Sequence, residues 1–136
     1  MQKVIIAGSR NFARYDILKS TLNRLFKERF VVVSGCAAGA DTMGERYAQE
    51  YNYEVEQHPA KWDDLDIEPC FIKTNARGKQ YNALAGHNRN LEMLQSVLDN
   101  PDGGCLVAFW DGESRGTKNM ISIATNAGIK VHVIQI

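Results

Sequence analysis

Three short segments combine glycine, small residues and arginine in a way that could hold a phosphate group. The first is GSRNF, which directly follows the apolar run VIIA. Gly8 lets the backbone approach a ligand closely, and Arg10 can donate two parallel hydrogen bonds to a phosphate. We therefore predict ligand contacts for Gly8, Ser9 and Arg10. A tight turn with a solvated arginine is the alternative interpretation.

The second segment, SGCAAGAD, spans residues 34–41. Gly35 and Gly39 are four residues apart, which excludes the GxGxxG dinucleotide fingerprint. The small residues that begin at Ser34 still leave the first N–H groups of a following helix free for an anion. Asp41 opposes this, because a carboxylate that caps the helix occupies the position of the anion and repels it. A sugar hydroxyl or a bound metal suits Asp41 better, and we predict ligand contacts for Ser34, Gly35, Gly39 and Asp41.

The third segment gives the strongest signal, because DGESRGT places glycines, two hydroxyls and a cation between a strand and a helix. It is not a P-loop, since only three residues separate its glycines and Thr117 precedes Lys118. A turn with an ordinary threonine cap is the alternative. The residues predicted to contact a ligand here are Asp111, Gly112, Ser114, Arg115, Gly116 and Thr117.

Two further positions could complete such a site. Arg89 precedes Met93 by four residues and lies on a different helix face from Leu91 and Leu94, so it can point towards the strand ends. We predict that Arg89, with its neighbour Asn90, contacts the ligand. Trp62 lies beside the predicted loops, where its indole could stack on a nucleobase, although core packing or a partner surface explains it equally well.

The elements that must position these residues alternate between buried strands and amphipathic helices. The predicted fold class is α/β, a single Rossmann-like domain over residues 1–136 with a mostly parallel five-stranded sheet and helices on both faces. Asp16 is expected to cap the first helix, and Leu91, Leu94 and Leu98 to form the buried stripe of the third. Residues 63–84 lack a clear period and are predicted to be a long surface loop or lid. Ligands of such sheets bind at the carboxyl ends of the strands.

The composition limits the function classes. Sixteen basic residues balance sixteen acidic ones, so the surface has no general basic excess for nucleic acid or anionic lipid. The three cysteines lie far apart, which favours a reducing compartment over a disulfide framework. The three histidines show no metal-binding spacing, so we predict no metal site. The apolar N-terminal run is too short for a signal peptide or membrane span, and we expect a soluble cytoplasmic protein.

Five segments in order resemble the SLOG superfamily, most closely its YspA-like, cpYpsA-related branch. They are GSRNF, SGCAAGAD, PAKW, AGHNRNLEM and AFWDGESRGTKNMI, which together extend over nearly the whole chain. The resemblance implies a Rossmann-like domain that recognises nucleotides or nucleotide-derived ligands such as ADP-ribose derivatives.

The resemblance extends to some SLOG relatives that are enzymes, the LOG-type phosphoribohydrolases, which cleave nucleoside monophosphates to base and ribose phosphate. Their motif MHxRK aligns with His87, Arg89 and Asn90, and their motif PGGxGTxxE aligns with residues 111–120. The glutamate of that motif falls on Met120, whose thioether cannot act as an acid or a carboxylate.

Three functions follow as hypotheses. The first is a sensor or sequestering module for a nucleotide-type small molecule. The second is an N-glycosidic hydrolase, whose predicted catalytic residues are Arg89, Asp41, Asp111 and Glu113. The third, single-strand DNA binding as in the DprA relatives, is disfavoured by the balanced charge. We predict no cofactor, leave open a divalent metal that arrives with the ligand, exclude a membrane partner and expect a homodimer or larger homo-oligomer.

Overall fold

The computed structural model describes residues 1–136, and helices and strands alternate along most of the chain. The strands are β1 (Lys3–Gly8), β2 (Val31–Ser34), β3 (Val55–Gln57), β4 (Ile72–Thr74), β5 (Gln80–Asn82), β6 (Gly104–Trp110) and β7 (Lys130–Gln135). The helices are α1 (Tyr15–Leu25), α2 (Ala40–Tyr51), α3 (Ala85–Leu98) and α4 (Arg115–Asn126). No helix has both the length and the apolar character needed to cross a membrane.

Five strands form one parallel sheet in the order β3-β2-β1-β6-β7. Val4, Ile5 and Ile6 of the central strand β1 are fully buried, as expected for a strand covered on both faces. One apolar cluster joins the sheet to α1 and α2, and a second joins its other face to α3 and α4. The predicted Rossmann-like α/β class is therefore confirmed.

The strand order places a switch point between β1 and β6. From β1 the chain moves to β2 and β3 on one side, and it later returns to the other side of β1 as β6 and β7. The helix that follows β1 packs on one face of the sheet, whereas α4, which follows β6, packs on the other. The two loops consequently diverge and leave a crevice at the carboxyl ends of the central strands.

The segment predicted as a loop or lid is partly ordered into a hairpin. Within residues 63–84, β4 and β5 pair as a small antiparallel sheet, with Lys73 opposite Tyr81. All three residues of β4 are exposed, so no buried apolar face marks them as a strand in the sequence. The description of this segment as a plain loop is therefore wrong for these two strands.

Two details of the predicted helices are also wrong. Leu91 and Leu98 are 41% and 47% exposed, and the buried side of α3 is instead formed by Asn90, Met93, Leu94 and Val97. The N-cap of α1 is Arg14, not Asp16. Asp16 lies in the first turn, where its carboxylate accepts hydrogen bonds from the Arg14 guanidinium and so is held by a side chain.

Candidate functional site

A cavity of about 470 Å³ lies in the crevice between the ends of β1 and β6. Side chains from α2, α3 and α4 close its walls. Most residues predicted to contact a ligand line this cavity: Gly8, Ser9, Arg10, Asp41, Arg89, Asn90, Asp111, Ser114, Arg115, Gly116 and Thr117. The remaining predicted residues, Ser34, Gly35, Gly39, Trp62, Gly112 and Glu113, lie outside its lining.

The first turn of α4 forms one wall, and Ser114 is its N-cap. The Ser114 Oγ accepts a hydrogen bond from the Thr117 amide at 3.4 Å, and the two hydroxyls lie 3.1 Å apart. The serine, not the threonine, therefore caps the helix. The main-chain amides of Arg115 and Gly116 donate no hydrogen bond within the protein. They are the unsatisfied donors with which a helix N-terminus attracts an anion.

Asp111 holds the loop that leads into this helix. Its Oδ1 accepts hydrogen bonds from the amides of Glu113 and Ser114, each at 2.8 Å. These bonds hold the pKa of the Asp111 carboxyl below its ordinary value. The Nε1 of Trp110 donates to the Ser114 carbonyl at 3.1 Å and braces the same turn. Two amides of this loop are thus occupied by the protein's own carboxylate, so an anion would meet the next two.

The β1 loop is tied to the β6 loop through Ser9, which is 1% exposed. Its Oγ accepts a hydrogen bond from the Asp111 amide at 3.3 Å, and its carbonyl accepts one from Ala40 at the start of α2. The neighbouring Arg10 is exposed at the rim of the cavity and takes part in no salt bridge of the chain. Its guanidinium is free to meet an incoming anion.

Asp41 is the buried carboxylate of the site. Its side chain accepts a hydrogen bond from the Ala37 amide at 3.2 Å and is 6% exposed with the rest of the residue. Burial raises the pKa of Asp41 from 3.8 to about 6, although the Ala37 amide and the charge of Arg89 pull it down. A carboxyl with such a pKa can carry a proton close to neutral pH. The chain assembles no group of three or more side chains that could jointly hold a metal ion.

Arg89 reaches across the cavity from α3 to the β2 loop. One Nη1 hydrogen binds the carbonyl of Gly35, and Nε donates to Asn90 Oδ1 at 3.0 Å. Burial lowers the pKa of the guanidinium from its ordinary value, with Asp41 as the largest opposing charge. No carboxylate lies within 4.0 Å of Arg89 as a salt-bridge partner. The Nη2 amino group therefore remains available to a ligand.

The two glycines of the β2 loop are needed for close approaches, not for ligand contact. A Cβ on Gly35 would lie 2.6 Å from Arg89 Nη1 and 2.8 Å from Asp41 Oδ2. Gly39 has φ of +80°, and a Cβ there would lie 2.3 Å from the carbonyl oxygen of Ser9. At Gly39 a side chain would collide with the backbone of the β1 loop, so the β1 and β2 loops can pack closely only because this residue is glycine; at Gly35 a Cβ would meet side chains.

Other predicted residues serve the surroundings of the cavity. The Ser34 Oγ binds Glu45 Oε2 and the Cys36 amide, at 3.0 and 3.1 Å. Trp62 is 38% exposed, and its ring meets Tyr81 edge-on at 6.4 Å between centroids. The Trp62 ring also lies against the Cα of Gly86 on α3. This places the indole near the Arg89 side of the site but outside the cavity lining.

Sequence reasoning missed several lining residues, among them Asn11, Ala37 and Met93. Asn11 stands in the quoted GSRNF motif and could have been included from that signal. Met93 is 2% exposed and, with Met120 at 1%, gives the cavity an apolar floor. The burial of both methionines depends on how α3 and α4 pack together, which no local pattern specifies.

Comparison with known families bears on the N-terminal half of this site. Residues 2–64 match the family model described as YAcAr, the YspA, cpYpsA-related SLOG family. This match supports a YspA-like SLOG member. The match includes the β1 loop, the β2 loop and α2, whereas α3 and the β6–α4 loop lie beyond it. No curated protein and no solved structure matches the chain significantly.

Proposed function

We propose that this protein binds a nucleotide or nucleotide-derived ligand, with a phosphate group at the first turn of α4. The main support is that Arg115 and Gly116, whose main-chain amides are unpaired, line the cavity. Three arginine side chains line the same cavity. The helix dipole adds to the attraction, since the N-terminal end of a helix carries partial positive charge. The match to the SLOG family supports a nucleotide-related role of this kind.

The free cations of the cavity favour an anion at the α4 end, where the Asp111 carboxylate also lies but has its Oδ1 occupied by two main-chain amides. Arg10 and Arg115 make no salt bridge, and both lie on the side formed by the β1 loop and α4. Asp41 lies in the first turn of α2, where a carboxylate would repel a phosphate but could accept a hydrogen bond from a hydroxyl. The ligand we propose therefore carries a phosphate at the α4 wall and hydroxyl groups facing Asp41. A cavity of this volume lies within the usual range for small-molecule sites, about 300–1,000 Å³.

Calorimetric titration with AMP, ADP-ribose and adenosine tests the proposal. We expect AMP or ADP-ribose to bind and adenosine, which lacks the phosphate, to bind much more weakly. Arg89→Gln should weaken binding roughly tenfold, as expected for the loss of a charge-assisted hydrogen bond. Arg24→Gln is the matched control, because Arg24 is exposed in the last turn of α1 and away from the cavity. Failure of every nucleotide to bind the wild type would remove the proposal.

A second candidate is N-glycosidic hydrolysis, and the buried Asp41 favours it. Met120, at the position of the LOG glutamate, has no ionisable group, and Glu113 is exposed outside the cavity. Asp41 has the raised pKa, about 6, that suits a general acid or base. In this reaction the oxygen of water bonds to C1′ of the ribose as the bond from C1′ to the base nitrogen breaks, and Asp41 takes the proton from the water and delivers it to the departing base.

Chromatography of AMP, CMP and GMP digests tests this second candidate. Free base and ribose 5-phosphate are expected from the wild type, and Asp41→Asn should abolish their release while the protein stays folded. If the wild type at high concentration releases no base, hydrolysis of these nucleotides is excluded and binding alone remains.

A further inference from the structure

The interface between α3 and α4 carries a chain of side-chain amides that ends at Arg89. Asn90 is 5% exposed and accepts the Arg89 Nε–H on its Oδ1 at 3.0 Å. Its Nδ2 donates to the Gly116 carbonyl at 3.2 Å and to Asn119 Oδ1 at 2.9 Å. Asn119 Nδ2 in turn lies 2.9 Å from Nδ1 of His87. Each partner beyond Arg89 belongs to α4 or to the first turn of α3.

The orientation of the Asn90 amide is dictated by its partners. Arg89 can only donate, so it must face the Asn90 oxygen, and the Gly116 carbonyl can only accept, so it must face the nitrogen. The orientation of Asn119 then follows, because its oxygen receives a hydrogen from Asn90. Its nitrogen then faces His87 Nδ1, so that ring nitrogen is the acceptor of the pair.

These assignments leave Asn90 with nothing to offer a phosphate. Both hydrogens of its Nδ2 are used within the protein, and what remains is a lone pair on Oδ1, which would repel an anionic oxygen. Its position in the cavity wall therefore does not make it a ligand contact. The same amide does fix the two groups that the proposed function requires, the Arg89 guanidinium and the turn that holds the Gly116 amide.

We infer that Asn90 is a positioning residue. It holds the Arg89 guanidinium and the first turn of α4 where both can bind the same anion, and it does not contact that anion itself. The expected effect of Asn90 on ligand affinity rests on the proposed function. The orientation of Arg89 itself is independent of any ligand. Asn119 and His87 belong to the same hydrogen-bond network, since they fix the rotamer of the Asn90 amide.

Two measurements test the inference, a double-mutant cycle of AMP affinity and a readout that needs no ligand. Affinity for AMP is measured for the wild type, Asn90→Ala, Arg89→Ala and the double variant. We expect Asn90→Ala to weaken binding roughly tenfold, as for one lost hydrogen bond that orients a charged group, and less than about threefold when Arg89 is already absent. Equal effects in both backgrounds, or no effect of Asn90→Ala, would overturn the inference.

A matched control separates positioning from a general loss of helix stability. Asn88→Ala removes the same side chain two residues away on α3, where its amide binds the Pro69 carbonyl outside the cavity. It should leave AMP affinity unchanged. Should Asn90→Ala fail to fold, Asn119→Ala takes its place in the cycle, because it removes one of the two α4 acceptors that hold the Asn90 amide. The expected coupling to Arg89 is then smaller but of the same sign, and its absence would count against the inference.

The Nε–H resonance of Arg89 in ¹⁵N-labelled protein gives the ligand-free readout, assigned by its loss in Arg89→Lys. It should exchange slowly with solvent in the wild type and rapidly in Asn90→Ala, with no change in Asn88→Ala. If the wild type binds no nucleotide but shows this pattern, the proposed function fails and the positioning role stands. If Nε–H exchange is the same with and without the Asn90 side chain, the positioning role fails whatever binds.

Discussion

The Arg89 guanidinium and the Asp41 carboxylate meet over the Cα of Gly35, one from α3 and the other from α2. A Cβ at that point would lie under 3.0 Å from an atom of each, and no salt bridge joins the two groups. The glycine thus lets a cation and an anion approach the same stretch of backbone. Both groups depend on it for their place in the cavity wall.

Gly35→Ala should separate ligand binding from stability. The new Cβ would meet the ends of two flexible side chains, which can move, so we expect a stability loss of no more than about 2 kcal/mol. AMP affinity should nevertheless fall, because Arg89 must leave its bond to the Gly35 carbonyl. Denaturant unfolding and calorimetry measure the two effects.

Gly39→Ala is the matched comparison. Its Cβ would meet the backbone carbonyl of Ser9 and its φ of +80° is unfavourable for alanine, so stability should fall more than in Gly35→Ala. An unchanged AMP affinity in Gly35→Ala, or equal stability losses in the two variants, would contradict the roles assigned to these glycines.

Asp41 should give the native state a pH dependence of opposite sign to that of a typical carboxylate. Its pKa in the folded state, about 6, lies above its ordinary value of 3.8, so the folded protein binds the proton more tightly than the unfolded chain. Stability attributable to Asp41 is therefore present at low pH and is lost as the pH rises from about 4 to 6. The loss is on the order of 2–3 kcal/mol.

Denaturant unfolding of the wild type and Asp41→Asn across this range measures the effect. The wild type should lose stability relative to the variant as the pH rises, because asparagine carries no charge in either state. Parallel stability curves for the two proteins would show that the buried carboxyl does not titrate as assigned.

Glu56 should show the ordinary sign. Burial raises the pKa of this carboxyl, but hydrogen bonds from His58, Lys3 and Ser96 outweigh burial and lower it from 4.5 to about 2. Its stabilisation is therefore present above pH 4.5 and lost as the pH falls towards 2. Glu56→Gln should weaken the acid dependence of unfolding, measured by circular dichroism. Gln49, an exposed residue of α2, provides the control Gln49→Ala, which should leave that dependence unchanged.

The sequence predicts the central sheet well because β1 and β6 are buried on both faces. Such strands have uninterrupted apolar runs, as in Val4, Ile5 and Ile6. The hairpin of β4 and β5 has no such signal, since β4 is exposed throughout and the one fully buried residue of β5 is the polar Asn82. Strands of three residues without a buried apolar side chain leave no hydrophobic period to detect.

The candidate site was predictable where a loop follows a buried strand. Arg10, Ser114 and Arg115 belong to such loops, and the parallel sheet brings the loops to one edge. The roles of individual polar groups were not predictable. Asp111 accepts hydrogen bonds from two amides of its own loop, and both Nδ2 hydrogens of Asn90 are donated within the protein. These contacts depend on the positions of side chains in the folded structure, which no local pattern specifies.

The central claim, a phosphate at the first turn of α4, is tested most directly by amide chemical shifts. In ¹H–¹⁵N spectra titrated with AMP, the amides of Arg115 and Gly116 should shift most, while adenosine leaves them unchanged. AMP-induced shifts confined to other parts of the chain, or none at saturating AMP, would contradict the account.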